Sequence, residues 1–351
     1  MVYILIAVLM FGILIAVHEF GHFFTAKLLG VKVNEFSIGM GPELFSRRKG
    51  ETQYSLRLLP IGGYCAMEGE DGGSQDPRAF ENKAPWRRLI ILAAGSFMNF
   101  AAGLLIILVL FLPRTSYPMP VLDHFAPGYG LEDCGLQPGD RFLRIDGHGV
   151  WLYGDARLLL DRAGDTVDLV VERDGEQVHL TAYIPFQTRE TEAGMTRMRG
   201  LHMGAVEQEA TPLVTVKMAF CQALDYVRMV WFSLGDFLRG AVGLRDLTGP
   251  IGIVGAIGEM GSQSPTTAQA AENIMNFVAF IAINLAVMNL LPIPALDGGR
   301  IFFLFINGAV TILTHRKLDP KYENAVNMAG LFCLLALMAV VAVNDIVRLI
   351  Q

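Results

Sequence analysis

Two histidines and a glutamate stand at His18, Glu19 and His22 in the run HEFGH. On a helix, residues four apart lie about 40° apart around the axis, so both imidazoles can reach one ion. This spacing suits zinc, and Glu19 stands beside the pair to take a proton from water activated there. Two helix-capping histidines would share the spacing. Against that plainer reading, Glu19 follows seventeen uncharged residues. A carboxylate near a bilayer is costly unless it has a task or a partner.

Catalytic zinc usually has three protein ligands and one open position. The third ligand must come from another segment. The stretch NLLPIPALDGGR, residues 289–300, offers Asp297, the only carboxylate between Glu272 and Asp319. Pro292 and Pro294 interrupt the helix just before it, and broken helices at membrane depth are tolerated where they are buried or line a cavity. Gly298 and Gly299 allow close backbone approach. The alternative for Asp297 is an ion pair with Arg300 at a helix end.

These residues need a membrane scaffold. Of 351 residues, 52% are hydrophobic and 18% charged, and the mean hydropathy is +0.42. That is too apolar for an ordinary soluble protein of this length. A net charge of −6 gives no support to nucleic-acid binding. The four cysteines form no CxxC pair, which argues against a zinc ribbon or a disulfide framework. Four segments have the ~20 apolar residues that a spanning helix needs: Met1 to about Phe24, Leu89–Leu112, Ile274–Leu296 and Ala325–Asn344. The first has no basic n-region and no small-x-small cleavage site, so it reads as a retained helix and not as a signal peptide.

Ten lysines and arginines lie between the first two spans, and Arg316, Lys317 and Lys321 lie between the last two. The positive-inside rule makes both connections cytosolic and places both termini and the region 113–273 outside. The first span then reaches His18 after ~25 Å of helix, and the third also runs inward before reaching Asp297. Both motifs therefore fall toward the cytosolic side.

The domains follow: 1–24, first transmembrane helix; 25–88, cytosolic-side β element; 89–112, second helix; 113–187, an outer β-domain; 188–273, an amphipathic helix and a Gly-rich loop; 274–313, the third helix with LDGG and a following apolar segment; 314–324, a cytosolic loop; 325–348, the fourth helix. Within the outer domain, Phe142–Ile145 reads as a strand after a Pro-Gly-Asp turn, and Val167–Glu172 and Val178–Ile184 form a hairpin around Asp174-Gly175. This resembles a PDZ domain in the circularly permuted form of bacterial membrane proteases. Such domains bind extended peptides at a sheet edge. A small β-domain without a peptide ligand is the plainer alternative. In 213–244 the charges Lys217, Asp225, Arg228, Asp236 and Arg239 fall within an arc of about 100°. A helix of that kind lies along a membrane surface or against other helices. The stretch TGPIGIVGAIGEMG, residues 248–261, is expected to be an irregular loop.

HEFGH in the first span, NLLPIPALDGG in the third and a PDZ domain after the second resemble the site-2 protease family of intramembrane zinc metalloproteases, in its bacterial RseP-like branch with a single PDZ domain. The likeness covers essentially the whole chain. It implies an α-helical polytopic membrane protein of the bacterial cytoplasmic membrane, with four transmembrane helices, a membrane-associated β-hairpin element and one inserted β-rich PDZ domain. It implies Zn2+ held by His18, His22 and Asp297, with Glu19 as general base and Asn289 supporting the substrate carbonyl or oxyanion. Asn284, earlier on the same helix, would hold substrate backbone. Residues 33–68 read as short strands, with Gly39, Met40 and Gly41 at a bend or edge. In the family this element dips into the membrane, where a strand edge can take over the backbone bonds of an unwound substrate. The implied substrates are single-span membrane proteins, such as anti-sigma factors or remnant signal peptides. A catalytically inactive PDZ-containing adaptor would tend to lose Glu19. A metal transporter would need the ligands but neither the glutamate nor a peptide-binding domain.

Overall fold

A computed structural model describes residues 2–70, 73–191, 194–243, 246–315 and 320–350. The chain forms two compact units, one of Met1–Ile107 with Tyr226–Gln351 and the other of Leu108–Asp225.

The first unit opens with α1 (Val2–Leu28), apolar almost throughout. It ends where Gly30 turns left-handed at φ +72° and the Val31 N–H closes on the Ala26 carbonyl at 2.8 Å. Glycine takes that backbone without the clash a Cβ would cause, so the helix stops there. Two long strands follow, β1 (Val33–Lys49) and β2 (Thr52–Met67). Both fold over on themselves. Residues 35–38 face 63–66 along one side and 53–56 along the other. The fold-over of β1 lies at Gly39 and Gly41, with φ +86° and +84°. A Cβ on Gly39 would stand 2.6 Å from the Leu59 carbonyl oxygen, so close approach as well as φ requires glycine here. Arg57 ties the layers together, donating to Ser37 Oγ, Gly41 O, Glu35 Oε1 and Tyr64 OH at 2.7–3.0 Å.

The segment after β2 is held by a polar cluster. Glu68 accepts from Lys32, Asn34 and Ser74 at 3.1, 3.0 and 2.7 Å. It leads to α2 (Pro85–Phe111). Gly95, Asn99 and Gly103 repeat every four residues along one face of α2. A Cβ on Gly103 would stand 2.7 Å from Ile283 Cγ1, and one on Gly21 of α1 would stand 2.8 Å from the Ala94 carbonyl carbon. Small residues let helix backbones approach in this way inside membranes.

The second unit carries β3 (Ser116–Pro118), β4 (Leu122–Phe125), β5 (Arg141–Ile145), β6 (His148–Gly149), α3 (Tyr153–Arg162), β7 (Thr166–Arg173) and β8 (Glu176–Tyr183). Strands β6-β5-β7-β8 form a four-stranded sheet over a core of Phe142, Ile145, Val167, Leu169 and Leu159. The expected hairpin is present, with Asp174 and Gly175 both at positive φ as a tight primed turn requires. Asp140 of the Pro-Gly-Asp turn is buried and takes two 2.7 Å bonds from Arg173. The unit does not end at 187. Further strands follow, β9 (Gln187–Thr191), β10 (Gly194–Met198), β11 (Leu201–Met203) and β12 (Glu207–Glu209); β11 pairs with β4 and β12 with β3. The expected boundary is corrected because the chain returns to its own first strands. Runs of three residues carry too little alternation to be seen in sequence.

Next comes α4 (Pro212–Leu238), the expected amphipathic helix. It stops short of 244 because Gly240 turns to φ +73° and the Ala241 N–H closes on the Asp236 carbonyl. Asp225, placed with the charged arc, is in fact buried. The Gly-rich stretch is not a loop. It forms α5 (Pro250–Gln263), with Pro250 preset for a first turn. Its free N–H groups at Gly249 and Gly252 donate to Asp345 at 3.0 and 2.9 Å. Glycine disfavours helices by about 1 kcal/mol each, but the distant cap and packing of the apolar face outweigh that. Ile253, Val254 and Ile257 pack with Ala7, Met10 and Leu14 of α1.

The expected third span, Ile274–Leu296, ends early, and the segment after it is a separate helix. α6 (Thr267–Asn289) starts seven residues before Ile274, capped by Thr266, whose side chain accepts from the Gln269 N–H. The chain then breaks at Leu290–Leu296, and α7 (Asp297–Thr314) starts afresh. Asp297 thus lies at the start of a second helix and not at the end of the third span. The expected connection 314–324 falls partly on residues 316–319, outside the described residues. α8 (Pro320–Ile350) completes the chain. Among the described residues, four helices are long and apolar enough to cross a membrane: Leu5–Leu28, Pro85–Phe111, Thr267–Asn289 and Lys321–Arg348.

Candidate active site

One turn of α1 places His18 and His22 side by side, with their Nε2 atoms 3.1 Å apart. The His22 Nδ1 donates to the Ile91 carbonyl of α2 at 2.8 Å. A carbonyl only accepts, so that ring's proton sits on Nδ1 and its Nε2 presents a lone pair to the site. Asp297 Oδ2 lies 3.2 Å from His18 Nε2 and 3.3 Å from His22 Nε2. This oxygen is buried and makes no well-formed hydrogen bond. The three side chains offer ligand atoms within 4.8 Å of one another, so the cluster fits a metal ion. Two imidazoles and a carboxylate on a tetrahedral ion leave one position open.

The surroundings enforce this geometry. Gly95 of α2 lies under both rings; a Cβ there would overlap His22 Nε2 and stand 2.7 Å from His18 Cε1. Asp297 is the first residue of α7, where the helix dipole favours a carboxylate. Gly298 and Gly299 fold so tightly under Leu290, Leu291 and Ile293 that any side chain would strike their carbonyl groups. Arg300 forms an ion pair with Glu70.

Beside the cluster is a cleft of about 370 Å³, lined by Glu19, Tyr64–Met67, Glu70, Leu92 and Ala295–Asp297 among others. Glu19 faces β2: a Cβ on Gly63 would meet its Cγ at 3.5 Å. Tyr64–Met67 pairs along one side with 33–37, and no strand pairs with its other side among the described residues.

The sequence-derived residues sort clearly. His18, Glu19, His22 and Asp297 line one cleft. Asn289 is not in the cleft lining but lies behind His18, its Nδ2 3.5 Å from His18 Nδ1. Asn284 lies on α6 but not in the cleft lining. Gly39, Met40 and Gly41 are likewise outside it; they form the fold-over of β1, and the strand at the cleft is Tyr64–Met67. Gly95, Glu70 and the pairing of Glu70 with Arg300 were not anticipated. The small-residue run AAGS and the four-residue spacing of Gly95, Asn99 and Gly103 were the available signal for the first. No local signal marks the Glu70–Arg300 pair.

A His-Glu-x-x-His turn, closed by a distant aspartate and set among helices apolar enough to cross a membrane, defines a membrane metallopeptidase-type centre. The chain belongs to peptidase family M50, the site-2 protease family, whose model matches residues 6–337. It is 36% identical over 347 residues to a protein of Clostridium perfringens named "Putative zinc metalloprotease", covering 98% of each chain. Proteins similarly named from Clostridium acetobutylicum and Fusobacterium nucleatum are 34% and 32% identical, covering 97–98% of each chain.

Proposed function

We propose that this protein is an intramembrane zinc endopeptidase that cuts the transmembrane segments of single-span membrane proteins. Anti-sigma factors and remnant signal peptides are the substrate class, in regulated intramembrane proteolysis. The observation that carries the reading is the convergence of His18 and His22, on a helix long and apolar enough to span a bilayer, with Asp297 on one point beside Glu19.

His18, His22 and Asp297 would hold the zinc, which bound there would supply Lewis acidity to a carbonyl and a water. Glu19 accepts the water's proton and hands it to the leaving amine. Asn289, beside His18, turns its amide toward the carbonyl oxygen as charge develops there. A helical substrate has its backbone bonds already satisfied and must be unwound. The open side of Tyr64–Met67 offers replacement partners to an extended segment. The enzyme works in the bacterial cytoplasmic membrane, with the site toward the cytosol and the termini outside. The unit Leu108–Asp225 acts there as a PDZ domain, presenting a sheet edge to peptides.

The test is a proteoliposome assay with a panel of single-span peptides. Glu19→Gln is expected to keep stoichiometric zinc and to lose cleavage by about 10²–10⁴-fold, the usual worth of a general base. Wild-type cleavage rates in this variant would remove Glu19 from the mechanism. Failure of the wild type to bind zinc or to cut any peptide would overturn the reading.

A further inference from the structure

Ala295, two residues before Asp297, has φ +72°. This left-handed backbone strains a residue with a side chain and persists only where the surroundings hold it. Two contacts from α8 do so. The Ala295 N–H donates to Asn327 Oδ1 at 3.3 Å. Three residues on, Gly330 lies so close to Pro294 that a Cβ there would stand 2.9 Å from its carbonyl carbon and strike its ring. Residues three apart share a helix face, so both contacts come from one face of α8. The neighbouring Val326, Met328, Leu331 and Phe332 are exposed apolar side chains, as expected for a lipid-facing helix. Asn327 is thus a polar group in an apolar span, and its bond goes to the bend. Beyond the bend, Gly298 and Gly299 pack under the preceding carbonyls. The chain entering Asp297 is clamped from both sides.

We propose that Asn327 is a positioning residue for Asp297. Its side-chain carbonyl, backed by Gly330, clamps the left-handed bend at Ala295 and sets where the carboxylate meets the two imidazoles. Through this clamp α8 governs the metal affinity of a site to which it contributes no ligand. The affinity consequence rests on the zinc reading above; the clamp itself does not.

Two measurements on the full-length protein in detergent separate these parts. The first is hydrogen exchange of the metal-stripped protein over residues 290–297. Asn327→Leu is expected to speed exchange there at least tenfold. Asn327→Asp, which keeps an acceptor oxygen, is expected to stay near wild type. Unchanged exchange in Asn327→Leu overturns the clamp. The second is zinc affinity by chelator competition. Asn327→Leu is expected to weaken it about tenfold, the low end for a group that orients a ligand. Ala295→Gly relieves the left-handed strain, so Asn327→Leu combined with Ala295→Gly is expected to recover most of the loss. A merely destabilising substitution would show no such specific rescue. Wild-type affinity in Asn327→Leu, or no recovery in the double variant, overturns the positioning role. Absence of zinc binding in the wild type, with the exchange result as expected, defeats the zinc reading and leaves the clamp standing.

Discussion

Gly95 of α2 lies against His22 of α1 with no room for a methyl group between backbone and ring. Gly95→Ala is therefore expected to displace the imidazoles without altering any ligand. Overpacking of this kind costs about 1–3 kcal/mol. Metal analysis of the purified variant should give clearly less than the wild-type zinc content, and full occupancy would show that the rings do not depend on this contact.

Asp297 Oδ2 is the atom on which the two imidazoles converge. Asp297→Ala is expected to release zinc on dialysis, by more than the about 10–100-fold lost when an outer-shell partner is removed. Unchanged zinc content would take Asp297 out of the ligand set.

Asp345 closes the N-terminus of α5 from the far end of the sequence. Asp345→Ala leaves two N–H groups in an apolar setting without an acceptor. A loss of about 2 kcal/mol is expected, at the upper end for helix caps. Asp345→Asn, which retains an acceptor, should lose less. Equal stability of all three proteins in equilibrium unfolding would show that the cap is idle.

Glu68 is held down to a pKa of about 2 by the Ser74 hydroxyl, the Asn34 amide and the Lys32 ammonium group. The folded pKa lies below the ordinary 4.5, so the stabilisation is complete above about pH 4.5 and fades as pH falls toward 2. The melting-temperature gap between wild type and Glu68→Gln should follow that window, wide at neutral pH and narrowing in acid. A gap independent of pH would show that the charge plays no part.

Much of this molecule was legible in the residue order. Helical spacing put His18 and His22 on one face, and the apolar runs located four helices to within a few residues at most ends. Asp297 stood out because a lone carboxylate between apolar segments needs a reason. The misreadings share a cause. Glycines at 249–261 suggested a loop because the cap that stabilises them, Asp345, lies more than eighty residues away in sequence. Strands β11 and β12 were missed because three-residue strands exist only through partners far upstream. Gly39, Met40 and Gly41 were read at a bend or edge, and the positive φ of Gly39 and Gly41 makes them the fold-over of β1.

The sequence by itself determined the chemistry available and the medium in which it works. Ligand types, helical spacing and apolar length are local properties, written within one or two turns of chain. Only the tertiary structure decided which atoms meet. The break at Leu290–Leu296, the left-handed Ala295 held by Asn327 and the bare backbone of Gly95 each depend on an approach between distant segments. Such approaches are set by close packing and by hydrogen bonds that water cannot replace inside a membrane, and neither leaves a periodic trace in the sequence.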